Sequence, residues 1–295
     1  MKDFVLAGCQ MACKPMDVDF NVQKGVEWIP KAVNCGGELL VFPETITTGF
    51  NINCTKEELW DMVDFAGGKI TKPVQEAAKK HKVHVIWPSY ERGETRGVIY
   101  NSAFLIGPDG EIIGTYRKTH PWPGENIYGI GWVEPGTEAV PFETELGTIG
   151  IIICYDGDFP DLSTTLAIRG AEVICRPAAL LRSYDHWWAT NFARAYDNHV
   201  YLAAVNAVGP DILNTYYFGH SMIIQPNGWK IAQGRCAEEI VFARLTTDGL
   251  KYVYGGMSSE QIFDHMTDRN LEVYDVMHES KSHFEPSKRI DVRKK

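Results

Sequence analysis

Three things are scarce in this chain, and each scarcity narrows what the protein can be. No apolar run approaches the roughly 20 residues that a bilayer-spanning helix needs, and the stretch Phe4–Ala7 is too short for the apolar region of a leader. The expectation is a cytoplasmic protein with no membrane partner. Basic residues are outnumbered, 29 Lys and Arg against 38 Asp and Glu, for a net charge of −9. A nucleic-acid groove calls for the opposite sign, so no nucleic-acid partner is expected either. Metal-ligand spacing is also missing. The cysteines at 9, 13, 35, 54, 154, 175 and 236 contain no Cys-x-x-Cys, and His81 and His84 have no nearby Glu. An odd, scattered set reads as reduced thiols rather than a disulfide frame, and neither a metal nor an organic cofactor is expected.

What is present is ample for a folded enzyme. A chain of 295 residues, 44% of them hydrophobic, can bury a sizeable core as one large α/β domain or two small ones. Short β-type runs alternate with longer amphipathic segments. The pattern predicts strands over Phe4–Gln10, Leu39–Phe42, Val83–Pro88, Tyr100–Ile106, Glu111–Tyr116, Thr148–Ile153, Glu172–Cys175, Val200–Asn206, His220–Ile224 and Glu238–Arg244. It predicts helices over Asn21–Asn34, Lys72–His81, Asp161–Arg169, Tyr184–Asn198 and Ser258–Met266. Pro-Asp-Gly at 108–110 and Pro-Asn-Gly at 226–228 are hairpin turns. Hairpins among βα units imply mixed sheets. The hairpin sequences starting at Asn101 and Gly219 occupy matching places in the two halves, which points to two sheets face to face with helices outside. The domain expected over 1–250 is followed by a more polar extension, 251–295, that reads as an oligomerisation arm.

The stretch Cys154-Tyr-Asp-Gly-Asp-Phe-Pro160 follows the apolar run Gly147–Ile153 and precedes a helical segment. A cysteine on such a strand-to-helix turn has its sulfur fixed near free backbone N–H groups, which favour thiolate and a developing oxyanion. Other polar residues follow strands. Glu44 ends Leu39-Leu-Val-Phe-Pro-Glu, Lys118 ends Gly114-Thr-Tyr-Arg-Lys, and Glu125 sits in the loop Pro121-Trp-Pro-Gly-Glu. Taken singly, Glu44 is a loop or capping acid, Lys118 a surface cation and Glu125 a solvated loop acid. Taken together they supply a nucleophile, a proton carrier and a fixed cation.

At Phe42-Pro-Glu44, Tyr116-Arg-Lys118 and Ile153-Cys-Tyr-Asp156 the chain resembles the nitrilase superfamily of carbon–nitrogen hydrolases, over roughly residues 4–245. Arg169-Gly-Ala-Glu-Val-Ile174 and Ala193-Arg-Ala-Tyr-Asp-Asn198 extend the likeness. The resemblance implies a four-layer αββα sandwich, an α/β fold with two mixed sheets and outer helices. It also implies Glu44 as general base and acid, Lys118 at the tetrahedral intermediate and Cys154 as nucleophile. The family's second glutamate falls best on Glu125, with Glu134 the weaker candidate. Pairing of copies through the helices flanking the nucleophile is implied as well, hence a homo-oligomer.

The branch is read from finer features. Nitrilases proper carry Cys-Trp-Glu, where this chain has Cys154-Tyr155-Asp156. N-carbamoyl amino acid hydrolases place arginines soon after the cysteine, where this chain has Gly157-Asp158. Cys-x-Asp-Gly-x-Phe-Pro, Pro121-Trp122 and Tyr217-Phe-Gly-His-Ser221 are similar to aliphatic amidases and formamidases, though Asp161 stands where that branch commonly has Glu. The expected substrate is a small uncharged amide, met by Tyr155, Trp122 and Asp158, with Asp158 repelling an anion. Nitrile or N-carbamoyl hydrolysis and a catalytically silent scaffold are the alternatives, the last opposed by the intact Glu44, Lys118, Cys154 set. Trp187 and Trp188, after Asp185-His186, read as the buried face of a helix before they read as walls of an acyl pocket.

Overall fold

A computed structural model describes residues 1–125, 131–214, 216–251 and 265–278. Strands are numbered along the chain. One six-stranded sheet has the order β14-β1-β2-β3-β4-β5, from β1 (Phe4–Gln10), β2 (Leu39–Val41), β3 (His84–Arg92), β4 (Ile99–Ile106), β5 (Ile112–Arg117) and β14 (Glu239–Leu245). The other has the order β13-β12-β9-β8-β7-β6, from β6 (Phe142–Thr144), β7 (Gly147–Ile151), β8 (Val173–Ala178), β9 (Tyr201–Asn206), β12 (Met222–Ile224) and β13 (Lys230–Gln233). A small antiparallel pair joins β10 (Val208–Pro210) to β11 (Tyr216–Phe218).

The two sheets repeat one pattern. In each, an edge strand lies antiparallel to the first of three parallel strands, and an antiparallel hairpin completes the other side. The central strands β1, β8 and β9 are buried almost end to end, as expected of strands covered on both faces. Between the sheets, Phe4, Leu6, Val41, Ile86 and Leu105 join Ile149, Ile151, Val173, Leu202 and Met222 in one apolar cluster. A Cβ on Gly8 would come within 2.8 Å of Val205 Cγ2, so the absent side chain lets β1 approach β9 closely.

Helices cover the outer faces. α1 (Val18–Asn34) and α3 (Lys72–His81) lie on the first sheet through Val22, Ile29, Val74 and Ala78. α4 (Pro160–Ile168) and α5 (Tyr184–Asn198) lie on the second through Leu162, Leu166, Trp187 and Ala195. This is the expected αββα sandwich. Local sequence starts the helices: Asp17 accepts the N–H of Phe20 at 3.1 Å, and Ser183 Oγ accepts that of His186 at 3.2 Å. A further helix, α2 (Lys56–Met62), starts from a capping box in which Thr55 Oγ1 accepts from Glu58 N–H at 3.2 Å and Glu58 accepts from Thr55 N–H at 2.8 Å. The helix expected over Ser258–Met266 lies outside the described residues as far as residue 264, as does the tail from Lys288. Among the described residues no helix is long and apolar enough to cross a membrane.

Because β5 runs in the same sense as β2 and β3, their carboxyl ends meet at one end of the first sheet. Glu44 and Lys118 follow β2 and β5 at that end.

Candidate active site

Glu44, Lys118 and Glu125 form one fully buried cluster. The Lys118 Nζ donates to Glu44 Oε1 at 2.7 Å and to Glu125 Oε1. Asn101, on β4, donates its side-chain N–H groups to Glu44 Oε1 at 2.8 Å and to Glu125 Oε2 at 3.2 Å. The Trp122 N–H donates to Glu125 Oε1 at 3.0 Å, so the Pro-rich loop folds back to deliver its acid. From the other sheet, the N–H of Ala179 just past β8 donates to Glu44 Oε2 at 2.9 Å. The Phe50 ring lies 5.5 Å from the ammonium.

Cys154 opens a single 3₁₀ turn, Cys154–Asp158, between β7 and α4. Its φ is 46°, as is that of Thr45 beside Glu44; both are left-handed conformations uncommon for such residues. Two side chains hold the turn. Asp156 accepts from Tyr116 Oη at 2.7 Å, His120 N–H at 2.9 Å and Ile153 N–H at 2.9 Å. It thereby ties the Cys154 turn to Tyr116 and His120, which stand two residues before and two after Lys118. Arg176, on β8, donates from Nε and Nη2 to the Cys154 carbonyl at 2.9 and 2.6 Å.

The electrostatics follow from burial. Burial works against the Lys118 ammonium, but Glu125 and Glu44 outweigh it and hold its pKa above the usual lysine value. Glu125 is raised by burial, with Lys118 opposing. The thiol of Cys154 is pushed up by burial and by the Glu44 charge, while Lys118 and Arg176 pull the other way. This corrects the expectation of a resting thiolate. Two carboxylates already face one ammonium, and ionising the sulfur would add a further negative charge where little water can screen it. The cluster therefore holds a neutral thiol beside a carboxylate able to take its proton.

The remaining expectations divide. Tyr155 and Trp122 meet edge to face, with centroids 4.9 Å apart, and the Arg182 guanidinium lies over both rings at 5.8 and 5.4 Å. Asp158 is not a free acid facing substrate. Arg182 binds it with two hydrogen bonds of 2.6 and 2.8 Å, and Arg176 Nη2 stands 3.6 Å away, so its charge is neutralised and the repulsion expected from it is removed. Glu134 stays outside the cluster, its N–H bonded to Ile99 O at 2.8 Å. Trp187 is fully buried, donating its indole N–H to His220 O at 2.8 Å, and serves as packing. A cavity of about 450 Å3 opens beside β5, lined by Glu91, Arg117 and Phe142 rather than by the cluster. Arg117 there is clamped to Glu91 by two bonds of 2.9 Å. Among the described residues no group of His, Cys, Asp or Glu is arranged to hold a metal.

Sequence reasoning missed Asn101 and Arg176. Asn101 carries no local signal, since it stands beside Ser102 inside a strand that is otherwise apolar, Ile99–Ile106. Arg176 carries one: a lone charge inside Val-Ile-Cys-Arg-Pro-Ala, where β8 runs on past Cys175.

The carbon–nitrogen hydrolase sequence profile matches residues 5–251. A probable nitrilase of Schizosaccharomyces pombe is 33% identical over 228 residues, covering 76% of this chain and 81% of that protein. A formamidase of Helicobacter acinonychis is 34% identical over 227 residues, covering 74% of this chain and 65% of that protein. The solved carbon–nitrogen hydrolase of Helicobacter pylori superposes with a TM-score of 0.83 at 21% identity, covering 94% of this chain and 98% of that one. The strand order, the buried acid–lysine–acid cluster beside a strained cysteine and these likenesses agree: the chain belongs to the carbon–nitrogen hydrolase family and is a hydrolase of carbon–nitrogen bonds.

Proposed function

We propose that the protein is a cysteine-dependent amidase that converts a small uncharged amide to its acid and ammonia through a thioester. The observation that carries this reading is the buried carboxylate of Glu44, which holds the Lys118 ammonium at 2.7 Å and stands near enough to the Cys154 thiol for its charge to push that thiol up. As the sulfur attacks the amide carbon, Glu44 takes the thiol proton. The carbonyl oxygen becomes an oxyanion beside Lys118 Nζ and the Tyr155 N–H. Glu44 then gives the proton to the departing nitrogen, the C–N bond breaks, and ammonia leaves a thioester on Cys154. Water, deprotonated by Glu44, attacks that thioester; the acid leaves and the thiol is restored. Glu125 orients Lys118 and accepts a hydrogen bond from the amide NH₂.

Substrate preference is read from the charges. The cluster already carries two carboxylates against one ammonium, and both guanidinium groups near the nucleophile are engaged, Arg176 by the Cys154 carbonyl and Arg182 by Asp158. An anionic substrate would have to break one of these pairings. Nitrile hydrolysis is the second reading, favoured by the name of the Schizosaccharomyces pombe relative. The amide is preferred because a nitrile has no N–H for Glu125, and a site built around such a bond discriminates by up to about 10⁴. The test is ammonia release at one enzyme concentration from a short aliphatic amide, its nitrile and an N-carbamoyl amino acid. The highest kcat/KM is expected for the amide, and a tenfold advantage for either other compound would overturn the assignment.

We also propose that the protein is a homo-oligomer, supported by apolar side chains left exposed on the outer helices, Ile168 on α4 and Phe192 on α5. Light scattering at micromolar concentration should give at least twice the chain mass, and the mass of a single chain would refute it.

A further inference from the structure

Arg176 is fully buried, yet its approach to a carboxylate, Asp158 Oδ1, is a loose 3.6 Å. Burial without a tight counter-ion is costly, and it pushes the arginine's pKa down to about 10, still far enough above neutral to keep the charge. The bonds explain where the cation is spent. Nε and Nη2 both donate to the Cys154 carbonyl, at 2.9 and 2.6 Å. Nη1 donates to Thr190 Oγ1 at 2.8 Å and Asn191 Oδ1 at 2.7 Å, both on α5. The Trp187 ring backs the guanidinium at 5.1 Å. On the near side, a Cβ on Gly157 would stand 2.1 Å from Arg176 Cζ, so the glycine is what lets the turn close onto the arginine.

Peptide planarity carries the consequence. The Cys154 carbonyl and the Tyr155 N–H share one plane and point in opposite directions. A two-pronged donor on the carbonyl therefore fixes the line along which the N–H points. A cation on the carbonyl also polarises the amide and strengthens its N–H as a donor. The left-handed φ of 46° at Cys154 means the backbone alone does not favour this plane.

We infer that Arg176 is a positioning residue that clamps the Cys154 carbonyl, holds the strained turn and aims the Tyr155 N–H at the oxyanion formed beside Lys118. The inference rests on the reading of Cys154 as the nucleophile. It gives α5 a part in the reaction, because Thr190 and Asn191 anchor the far side of the guanidinium.

The experiment compares the parent with Arg176→Gln, Arg176→Lys and the double variant Thr190→Val/Asn191→Leu, which keeps the arginine and removes its anchors. Three quantities are measured: kcat and KM for a short amide, the pH dependence of Cys154 alkylation by iodoacetamide with the site mapped by mass spectrometry, and the unfolding midpoint. Arg176→Gln should lose about 10²-fold in kcat, with KM changed by less than about threefold, since a misplaced donor acts on the transition state. Its alkylation profile should move to higher pH, because Glu44, Lys118 and Arg176 are the charges facing the thiol and one of the two cations is gone. Arg176→Lys should restore the alkylation profile but not kcat, since an ammonium supplies charge without the planar fork. A purely structural arginine would lower the unfolding midpoint and leave kcat per folded molecule and the alkylation profile unchanged; that result overturns the inference. If neither single variant folds, the double variant decides: reduced kcat at constant KM supports the clamp, and unchanged kcat contradicts it. Alkylation of the parent at another cysteine with matching loss of activity would instead defeat the nucleophile reading.

Discussion

The two sheets of the sandwich repeat one pattern of pairing, yet matching strand ends carry different chemistry. β7 leads to Cys154. Its counterpart β1 ends at Gln10, whose amide donates to Arg235 O and Ala237 O at 2.7 and 2.6 Å and accepts the Ser221 N–H at 2.8 Å. β2 leads to Glu44, whereas β8 leads to Ala179, which offers only a backbone N–H to that same carboxylate. β5 leads to the buried Lys118, and β13 leads to Gly234 and the exposed Arg235. The first sheet thus supplies the Glu44 carboxylate and the Lys118 ammonium, and the second supplies the Cys154 thiol and the Ala179 backbone donor. Neither half holds a complete site. The repeat provides the geometry, and the residue standing at each strand end decides which copy of that geometry reacts.

Substitutions at matched ends test this contrast. Cys154→Ala should reduce turnover by at least about 10⁴-fold, the scale of removing a nucleophile. Cys175→Ala, buried in the middle of β8 of the same half, should keep most activity; both are read as kcat/KM on a short amide. Next comes Lys118→Arg, expected to lose about 10²–10³ in kcat because a planar fork cannot occupy a point-charge site between two carboxylates. Near-normal turnover there would make the lysine structural. Asp156→Asn removes the charge that gathers the Tyr116, His120 and Ile153 donors, and should cost about 1–3 kcal/mol in denaturant unfolding. A change within error would show that the link between the two sheets is not held there. The smallest effect is expected at the counterpart of Lys118: Arg235→Ala should change stability by no more than about 0.5 kcal/mol and leave turnover intact.

Much of this was legible before any coordinates. Glu44, Lys118 and Cys154 each follow an apolar or hairpin strand, so a run of hydrophobic residues announces where the reactive side chain will emerge. The long strands and the four helices with clear periodicity fell where the pattern placed them, to within a few residues. The misses have physical causes. β6, β10, β11 and β13 are short pieces with too few residues to alternate. α2 hides its polar face in a charged stretch, although Thr55-Lys-Glu-Glu58 spells its capping box. The partners of the reactive groups are the hardest to see. Asn101 meets Glu44 across 57 positions of sequence, and Arg176 meets Cys154 across 22. Only the folded sheets bring them together. Asp158 shows the same limit from the other side: an acid beside the nucleophile suggests repulsion until Arg182 is found holding it.

The central claim is that Cys154, supplied by one half, forms a thioester whose nitrogen has left with help from Glu44 and Lys118 of the other. Rapid quenching of the enzyme with a short amide, with and without hydroxylamine, followed by peptide mass spectrometry, tests this most directly. The account predicts an acyl adduct on the peptide containing Cys154, ammonia released ahead of the acid, and diversion of the acyl group to hydroxamate. Ammonia and acid released together, with no adduct on Cys154 and no hydroxamate, would contradict it.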